Sequence, residues 1–212
     1  MPPVHVLLVR HGESTWNAEA RWQGQADPPL SDRGRDQARA AARALPPVDR
    51  VVASDLARAR LTAELLAAAT GRAVEVEPRL RERDAGAFSG LTRAEIHLRF
   101  PGALPDDPAR APGTEADGLV APPGWEPADT LAARAWAALD ELARTPGPGA
   151  TVVAVSHSGL IYAVEDRFTD VRQRIANLEG RWLHHDGRAW SLGDRQLLLD
   201  PAHDEVTRPG QI

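Results

Sequence analysis

The sequence contains no cysteine and no lysine, and it has no apolar run long enough to cross a membrane. Without cysteine the chain cannot form disulfide bonds, a thiolate nucleophile or a cysteine-ligated metal site. All 25 basic residues are arginine, so each of these cations is a planar fork that suits a carboxylate or a phosphate. The start of the chain has no basic region ahead of its short apolar run. No signal peptide is therefore predicted, and a cytoplasmic location is expected.

Size and charge limit the function classes further. The chain has 212 residues, of which 42% are hydrophobic and 26% charged, which is typical of a globular protein. We expect a single domain over residues 1–212, with a cap-like loop excursion at about residues 101–127, a stretch rich in Pro, Gly, Ala and Asp. The net charge of −5 argues against a nucleic-acid partner but leaves room for a local basic pocket. No membrane partner is expected.

Apolar runs that alternate with amphipathic stretches indicate the fold class. Three runs predict buried strands, namely Val4–Val9, Val48–Ala53 and Thr151–Val155, and Val74–Val76 predicts a further short strand. With helices between them, they predict an α/β fold: a three-layer sandwich in which a mostly parallel sheet is flanked by helices on both faces. The tail differs, because Asp186–Gly187 predicts a β-hairpin and Gln196–Leu199 a last edge strand.

Arg58 occupies an unusual position for a cation. It is predicted to lie in the first turn of the helix after the second strand, with Ser54 or Asp55 as the N-cap. A cation at this end opposes the helix dipole, so its presence suggests that an anion binds nearby. A solvated surface arginine is the alternative interpretation.

Two of the predicted strands end in a histidine that is closely followed by glycine. The first strand runs into Arg10–His11–Gly12, and the fourth runs into Ser156–His157–Ser158–Gly159. Because the carboxyl ends of parallel strands lie at one edge of the sheet, His11, His157, Arg10 and Arg58 could meet in one pocket. Two guanidinium groups and two imidazoles suit a dianion, and phosphate is the dianion that we favour.

Few reactions fit such a pocket. The sequence has no Walker loop and no dinucleotide fingerprint, and its carboxylates are too scattered to predict a metal cluster. His184 and His185 would point to opposite faces of a strand, which argues against metal ligation there. No metal and no cofactor are therefore expected. A neutral histidine can instead attack phosphorus while arginines offset the charge, and Glu82 is a candidate acid for the leaving alkoxide.

Several motifs, in order along the chain, resemble those of the histidine phosphatase superfamily, which has the phosphoglycerate-mutase-like fold. The resemblance is to its broad-specificity phosphatase branch. Arg-His-Gly alone is a weak motif, but four motifs in the right order between residues 6 and 160 are a specific signal. The first motif is Leu8–Ser14 with Asn17 and Gln23–Gly24, continued by Leu30–Ser31, Gly34 and Gln37–Ala38. The other three are Ser54–Leu56 with Arg58–Ala59 and Thr62–Ala63, Leu80–Glu82 with Gly86 and Gly90–Thr92, and Val155–His157 with Gly159.

The resemblance implies a role for each matching residue. His11 is implied to be the phosphorylated nucleophile and Glu82 the acid or base. The phosphoryl group is implied to be bound by Arg10, Arg58 and His157. The implied pocket-lining and substrate-binding residues are Asn17, Gln23, Gly24 and Ser158.

Several positions depart from the family's pattern. Many relatives carry Trp-Glu where this chain has Phe88–Ser89, and many have Gly-Gly-Glu-Ser where it has Gly124–Trp125–Glu126–Pro127. The second histidine is usually followed by Gly-Gly instead of Ser158–Gly159, and past Phe168 only Asn177 gives a match. Because these changes surround the candidate site without removing its core, they bear on the substrate more than on the chemistry.

The complete set of core residues predicts a metal-independent phosphomonoester hydrolase acting on a small cytosolic phosphorylated metabolite through a phosphohistidine. One alternative is a phosphoglycerate mutase with the same phosphohistidine, although the longer second motif and acid loop of such mutases are not found here. A non-catalytic phosphate-binding module is another. Trp16, Trp22 and Trp125 would either form an apolar wall of the site or pack in the core. Members of the family are often dimers, so a homodimer is one expectation.

Overall fold

The computed structural model describes residues 2–104, 121–144, 147–171 and 173–208, and its centre is a sheet of six strands. The strands are β1 (Val4–Arg10), β2 (Arg50–Ala53), β3 (Val74–Val76), β4 (Thr151–Ser156), β5 (Glu179–His185) and β6 (Trp190–Leu197). They lie side by side in the order β3-β2-β4-β1-β5-β6.

Four neighbouring strands of the sheet are parallel, and the other two are added in antiparallel fashion. β3, β2, β4 and β1 pair in parallel, whereas β5 is antiparallel to β1 and β6 is antiparallel to β5. The predicted mostly parallel sheet is therefore confirmed. Arg10 at the end of β1 lies opposite Ser156 at the end of β4. The residues that follow these two strands therefore leave the sheet side by side.

Six α-helices accompany the strands in the described part of the chain. They are α1 (Thr15–Ala18), α2 (Asp32–Ala41), α3 (Ala57–Ala67), α4 (Arg93–Arg99), α5 (Ala128–Arg144) and α6 (Ser158–Glu165). Apolar side chains of α5 and α6 pack on one face of the sheet, and those of α2 and α3 pack on the other. The predicted three-layer sandwich is confirmed.

The central strands are apolar on both faces because helices cover both faces. Val6 and Leu8 of β1 belong to the cluster that contains Leu139 of α5, while Leu7 belongs to the cluster that contains Leu66 of α3. Successive side chains of a strand point to opposite faces of the sheet. The near-continuous apolar run in the sequence is therefore what a sheet buried on both sides requires.

The start of α3 differs from the sequence prediction. α3 begins at Ala57 with Leu56 as its N-cap, and no side chain of the cap residue binds the helix, so neither Ser54 nor Asp55 is the N-cap. The carboxylate of Asp27, from a loop distant in sequence, accepts the N–H of Ala57 at 2.6 Å instead. Because the acceptor for the N–H of Ala57 comes from a distant loop, the residues just before the helix carry no capping pattern that could predict its start.

The end of the chain also differs in part. The predicted hairpin at Asp186–Gly187 is confirmed, since β5 and β6 pair across it. The separate strand predicted at Gln196–Leu199 is wrong, because Gln196 and Leu197 are the last residues of β6. Leu198 and Leu199 instead pack into the core on the α2 and α3 side of the sheet. Their apolar character reflects core burial and not sheet pairing.

Part of the predicted loop excursion at residues 101–127 lies outside the described residues, because residues 105–120 are not among them. The single-domain organisation over residues 1–212 stays a prediction. Among the residues that are described, no helix is both long enough and apolar enough to span a membrane.

The two leucines Leu139 and Leu98 provide a matched test of the packing. Leu139 is 0% exposed in the cluster under α5, whereas Leu98 of α4 is 82% exposed. Leu139→Ala should lower the free energy of unfolding by about 2–5 kcal/mol because it leaves a cavity. Leu98→Ala should change it by less than about 0.5 kcal/mol. Urea denaturation of both variants measures this, and equal losses would contradict the described packing.

Candidate active site

The two predicted histidines lie next to each other at the carboxyl edge of the sheet. The backbone N–H of His11 donates to the carbonyl oxygen of Ser156 at 3.0 Å, which extends the pairing of β1 with β4 by one residue. The imidazole rings of His11 and His157 have their centroids 5.1 Å apart. Both side chains are buried, at 2% and 0% exposure. The sequence-based expectation that the two strand ends meet is therefore correct.

One hydrogen bond shows which nitrogen of the His11 ring carries a proton. Its Nδ1 lies 2.6 Å from the carbonyl oxygen of Gly12. A carbonyl can only accept, so Nδ1 carries the proton and Nε2 keeps its lone pair. Burial lowers the pKa of His11 well below its ordinary value, and the charges of Arg58 and Arg10 lower it further. The ring is therefore neutral near pH 7, with an unprotonated Nε2 available as a nucleophile.

His157 offers a different atom to the pocket. Its Nε2 lies 3.0 Å from the hydroxyl of Ser54, and its Nδ1 is buried with no hydrogen-bond partner among the described residues. Burial lowers the pKa of His157 well below the usual value, with Arg58 and His11 adding to the effect. A Ser54 hydroxyl that donates to Nε2 leaves the proton on Nδ1. That N–H can then donate to an oxygen of a bound phosphate.

The guanidinium groups of Arg10 and Arg58 are buried and are held by main-chain carbonyls. Nη1 of Arg10 donates to Ile175 at 2.7 Å, and Arg58 donates to Ala26 at 2.8 Å and to Gly24 at 2.9 Å. The Nε of each arginine is buried without a partner in the described structure. Such neutral anchors fix the cations in place and leave their charge available to an anion. The interpretation of Arg58 as a solvated surface residue is wrong, since it is 1% exposed.

Burial also changes the pKa of both guanidinium groups. It lowers the pKa of Arg58 to about 10, although the nearby carboxylates of Glu82 and Asp27 act in the opposite direction. It also lowers the pKa of Arg10, against the influence of Tyr162 and Glu82. Both groups still carry their charge near pH 7. Two buried cations beside two neutral imidazoles give the pocket a positive field that suits a phosphate dianion.

The turn after β1 is held on both sides. The N–H of Gly12 donates to the hydroxyl of Thr62 at 3.1 Å, and an ideal Cβ at Gly12 would lie 2.6 Å from the carbonyl oxygen of Gly34. Only glycine fits this close approach. On the other side, the amide of Asn177 donates to the carbonyl of His11 at 2.8 Å. The divergent tail thus contributes directly to the position of His11.

The carboxylate of Glu82 lies against the N-terminus of α6. Its Oε2 accepts the N–H of Gly159 at 3.1 Å and lies 3.5 Å from the hydroxyl of Ser158, while Oε1 accepts the N–H of Arg83 at 2.8 Å. An ideal Cβ at Gly159 would lie 2.3 Å from Oε1 of Glu82. A side chain there would therefore displace the carboxylate. Of the Ser158–Gly159 pair, it is the glycine that this contact requires.

The remaining predicted residues line the same small cavity as His11. The cavity is lined by Arg10, His11, Asn17, Arg21, Trp22, Gln23, Gly24, Arg58, Glu82 and Ser158. Oδ1 of Asn17 accepts the N–H of Ser14, and Oε1 of Gln23 accepts the Ser14 hydroxyl at 2.8 Å. Gly24 has a φ of +52° and presents its backbone to Arg58. All the residues predicted for the site except His157 line this cavity, and the ring of His157 lies beside the ring of His11.

Trp22 belongs both to the cavity wall and to an apolar cluster. It is 3% exposed and packs against Phe88 and Trp125, with ring centroids 5.7 and 6.0 Å away. Its indole N–H is buried with no partner among the described residues. The sequence left open whether the tryptophans line the site or pack in the core, and Trp22 does both.

Comparison with known proteins identifies the family. The sequence model of the Histidine phosphatase superfamily (branch 1) matches residues 6–192. This chain belongs to the histidine phosphatase superfamily. The resemblance seen in the motifs is thereby confirmed, and the structural neighbours below share the phosphoglycerate-mutase-like fold.

The most similar relatives of this superfamily member include two kinds of enzyme. Over 88 residues it is 48% identical to Probable phosphoglycerate mutase GpmB of Enterobacter sp. (strain 638), covering 40% of each chain. Over 100 residues it is 43% identical to a glucosyl-3-phosphoglycerate phosphatase of Mycolicibacterium vanbaalenii, covering 46% of this chain and 44% of that one. The matches therefore span less than half the length of these curated relatives.

Solved structures are similar over a greater length. A mycobacterial glucosyl-3-phosphoglycerate phosphatase is 33% identical, with a TM-score of 0.73, over 90% of this chain and 96% of that one. A phosphoglycerate mutase from Bacillus anthracis str. Sterne has a TM-score of 0.73 at 21% identity, over 91% of this chain and 92% of that one, and shows the shared fold alone.

Some residues that shape this histidine phosphatase site had little or no signal in the sequence. Thr62 and Ile175 bind the backbone of Gly12 and the guanidinium of Arg10 from distant elements. Ser54 and Thr62 lie in a segment that matches the family, but neither was predicted to have a role at the site, and Ser54 holds His157. Asn177 had a signal too, as an isolated match in the tail. A contact between elements far apart in sequence has no spacing that could reveal it.

The lowered pKa values of His11 and His157 predict that the protein is less stable in mild acid. Both have a folded-state pKa well below the ordinary value of 6.5, so below that pH the unfolded chain binds protons that the folded chain does not. The free energy of unfolding should then decrease by about 1.4 kcal/mol per pH unit for each histidine. Urea denaturation between about pH 7.5 and about pH 5 measures the slope.

The control for this slope removes both titrating rings. A His11→Gln/His157→Gln double variant should flatten the pH dependence, leaving a smaller part from His184, whose pKa is lowered by burial and by His5. An unchanged slope in the double variant would show that other groups cause it.

Proposed function

We propose that this protein is a metal-independent phosphomonoester hydrolase that acts on a small phosphorylated metabolite in the cytoplasm through a phosphohistidine at His11. The observation that carries the proposal is the unprotonated Nε2 of a neutral His11, in a pocket beside the buried, unpartnered Nε groups of Arg10 and Arg58. Nucleophilic attack needs the lone pair, and the cations offset charge on the phosphoryl group. A non-catalytic phosphate-binding module would not need this tautomer.

Each step of the reaction has a group to perform it. Nε2 of His11 attacks phosphorus, the P–O bond to the alcohol breaks, and the carboxyl of Glu82 gives its proton to the leaving oxygen. Water then attacks the phosphohistidine and passes a proton to the Glu82 carboxylate. The N–P bond breaks, which releases phosphate and restores neutral His11. The N–H groups of Arg10, Arg58 and His157 bind the phosphoryl oxygens throughout.

The names of the relatives suggest the substrates to test first. A glucosyl-3-phosphoglycerate phosphatase is similar over 90% of this chain, so glucosyl-3-phosphoglycerate and other phosphorylated glycerate derivatives are our first candidates. A mutase is the second candidate function, because curated relatives carry that name. A mutase would use the same phosphohistidine but return the phosphoryl group to a bound phosphoglycerate instead of water.

The phosphohistidine has a direct test. After ³²P-labelled substrate and enzyme are mixed and rapidly quenched in alkaline detergent, a label that is stable to alkali and labile to acid should be found on His11 and should be absent in His11→Ala. Turnover of an aryl phosphate should fall by at least about 10³-fold in His11→Ala, because the nucleophile is lost. Activity should persist in EDTA. His203→Ala, at a histidine whose side chain is 78% exposed, is the control and should keep both label and activity. Full activity in His11→Ala, or loss of activity in EDTA, would overturn the mechanism.

The hydrolase and the mutase differ in where the phosphoryl group goes. We expect the enzyme to release inorganic phosphate from glucosyl-3-phosphoglycerate, and to form no 2-phosphoglycerate from 3-phosphoglycerate primed with 2,3-bisphosphoglycerate. Coupled assays for phosphate and for 2-phosphoglycerate measure the two products. Accumulation of 2-phosphoglycerate without phosphate release would favour the mutase.

A further inference from the structure

The guanidinium group of Arg134, on α5, binds the backbone of the loop that carries Glu82. Nη1 donates to the carbonyls of Arg79 at 2.8 Å and Arg81 at 2.6 Å, and Nη2 donates to the carbonyl of Glu82 at 2.8 Å. One side chain thus holds three carbonyls within four consecutive residues. Only arginine has the planar set of donors that this arrangement needs.

Glu126 binds the other edge of the same guanidinium. Nε of Arg134 donates to Oε1 of Glu126 at 2.7 Å, and Nη2 donates to Oε2 at 2.8 Å. Glu126 is also paired with the Glu82 loop, since its N–H donates to Asp84 at 3.0 Å and its Oε2 accepts the N–H of Asp84 at 3.1 Å. Burial acts to raise the pKa of Glu126, but the contact with Arg134 outweighs it and holds the pKa below the usual value. The pair is therefore ionised.

Arg134 lies on a helix that is held in place by the core. Its neighbours Leu131 and Ala135 on α5 are 0% exposed in the core against the sheet, so the helix cannot shift without disrupting that packing. The Arg134 side chain lies outside this core and is 18% exposed. Its contacts therefore serve the Glu82 loop more than the packing of the helix.

We propose that Arg134 is a positioning residue that acts through Glu82, by fixing the backbone from which the proton-donating carboxyl reaches the leaving oxygen. The inference rests on the proposed function, in which Glu82 is the acid. It has a specific consequence. Loss of Arg134 harms the reaction only where the leaving group needs a proton, and it spares phosphate binding and attack by His11.

The experiment compares two substrates that differ in their leaving groups. An alkyl phosphate such as 3-phosphoglycerate needs a proton on its departing oxygen, whereas 2,4-dinitrophenyl phosphate does not. The variants are Arg134→Lys, which keeps the charge, Arg134→Gln, and Glu82→Gln as the reference for loss of the acid. Arg144→Lys is the matched control, because Arg144 is on the same helix with its side chain 67% exposed. The measured quantity is kcat/KM, which covers the steps up to phosphoryl transfer.

In Arg134→Lys, kcat/KM for the alkyl phosphate should fall by about 100-fold, the usual effect of misplacing a catalytic group by about 1 Å. For the dinitrophenyl ester it should fall by less than about threefold, since no acid is needed. The inhibition constant of inorganic phosphate should stay unchanged, and Arg144→Lys should match the wild type. Combining Arg134→Lys with Glu82→Gln should cost little beyond Glu82→Gln alone, because both act on one proton transfer.

Equal losses of kcat/KM on the two substrates, or weaker inhibition by phosphate, would overturn the proposal, because they would show that Arg134 stabilises the whole pocket and not only the position of Glu82. No loss on either substrate would overturn it as well. Arg134→Gln and Arg134→Lys are both checked by thermal melting, and the lysine variant serves if the glutamine variant unfolds. The labelling experiment tests the proposed function on its own. A wild-type enzyme that forms no phosphohistidine refutes that function. If His11 is labelled but the Arg134 variants lose no more activity on the alkyl phosphate than on the dinitrophenyl ester, only the role of Arg134 is refuted.

Discussion

The site depends on two buried guanidinium groups that are anchored by neutral carbonyl oxygens. A buried cation is costly unless it is paired, and proteins usually pair it with a carboxylate. Arg10 and Arg58 hydrogen-bond to the carbonyls of Ile175, Ala26 and Gly24, which fix their positions without cancelling their charge. A phosphate dianion would supply the missing counter-charge. Under the proposed function, binding of such a ligand recovers part of the free energy that burying the two cations costs.

The same two charges explain why the histidines stay neutral. Protonating His11 or His157 would add a third cation to a buried pocket that already holds two, and burial alone already lowers both pKa values. The carbonyl of Gly12 then selects the tautomer of His11. Cation placement, burial and one backbone contact thus act together to keep Nε2 unprotonated. None of these three features is a property of His11 alone.

The sequence predicted the parts of this site that follow from local pattern. Apolar strands that end in His11 and His157 implied a shared sheet edge, because the geometry of parallel strands fixes where their ends lie. Arg58 could be found because a cation in the first turn of a helix conflicts with the helix dipole. The contacts of Asp27 with α3 and of Arg134 with the Glu82 loop could not be found. They join residues about 30 and about 50 positions apart, so no spacing or periodicity marks them.

The departures from the family's pattern become coherent once the packing is known. Phe88 and Trp125 stand at two of these departures, yet their rings are 5.8 Å apart and both contact Trp22. Changes that lie far apart in the sequence therefore form one aromatic cluster, and Trp22 connects it to the cavity wall. Glu126, between the substituted Trp125 and Pro127, still binds Arg134. The substitutions thus alter the aromatic cluster behind one wall of the cavity, while Arg10, His11 and Arg58 still line the cavity and Arg134 still binds the Glu82 loop.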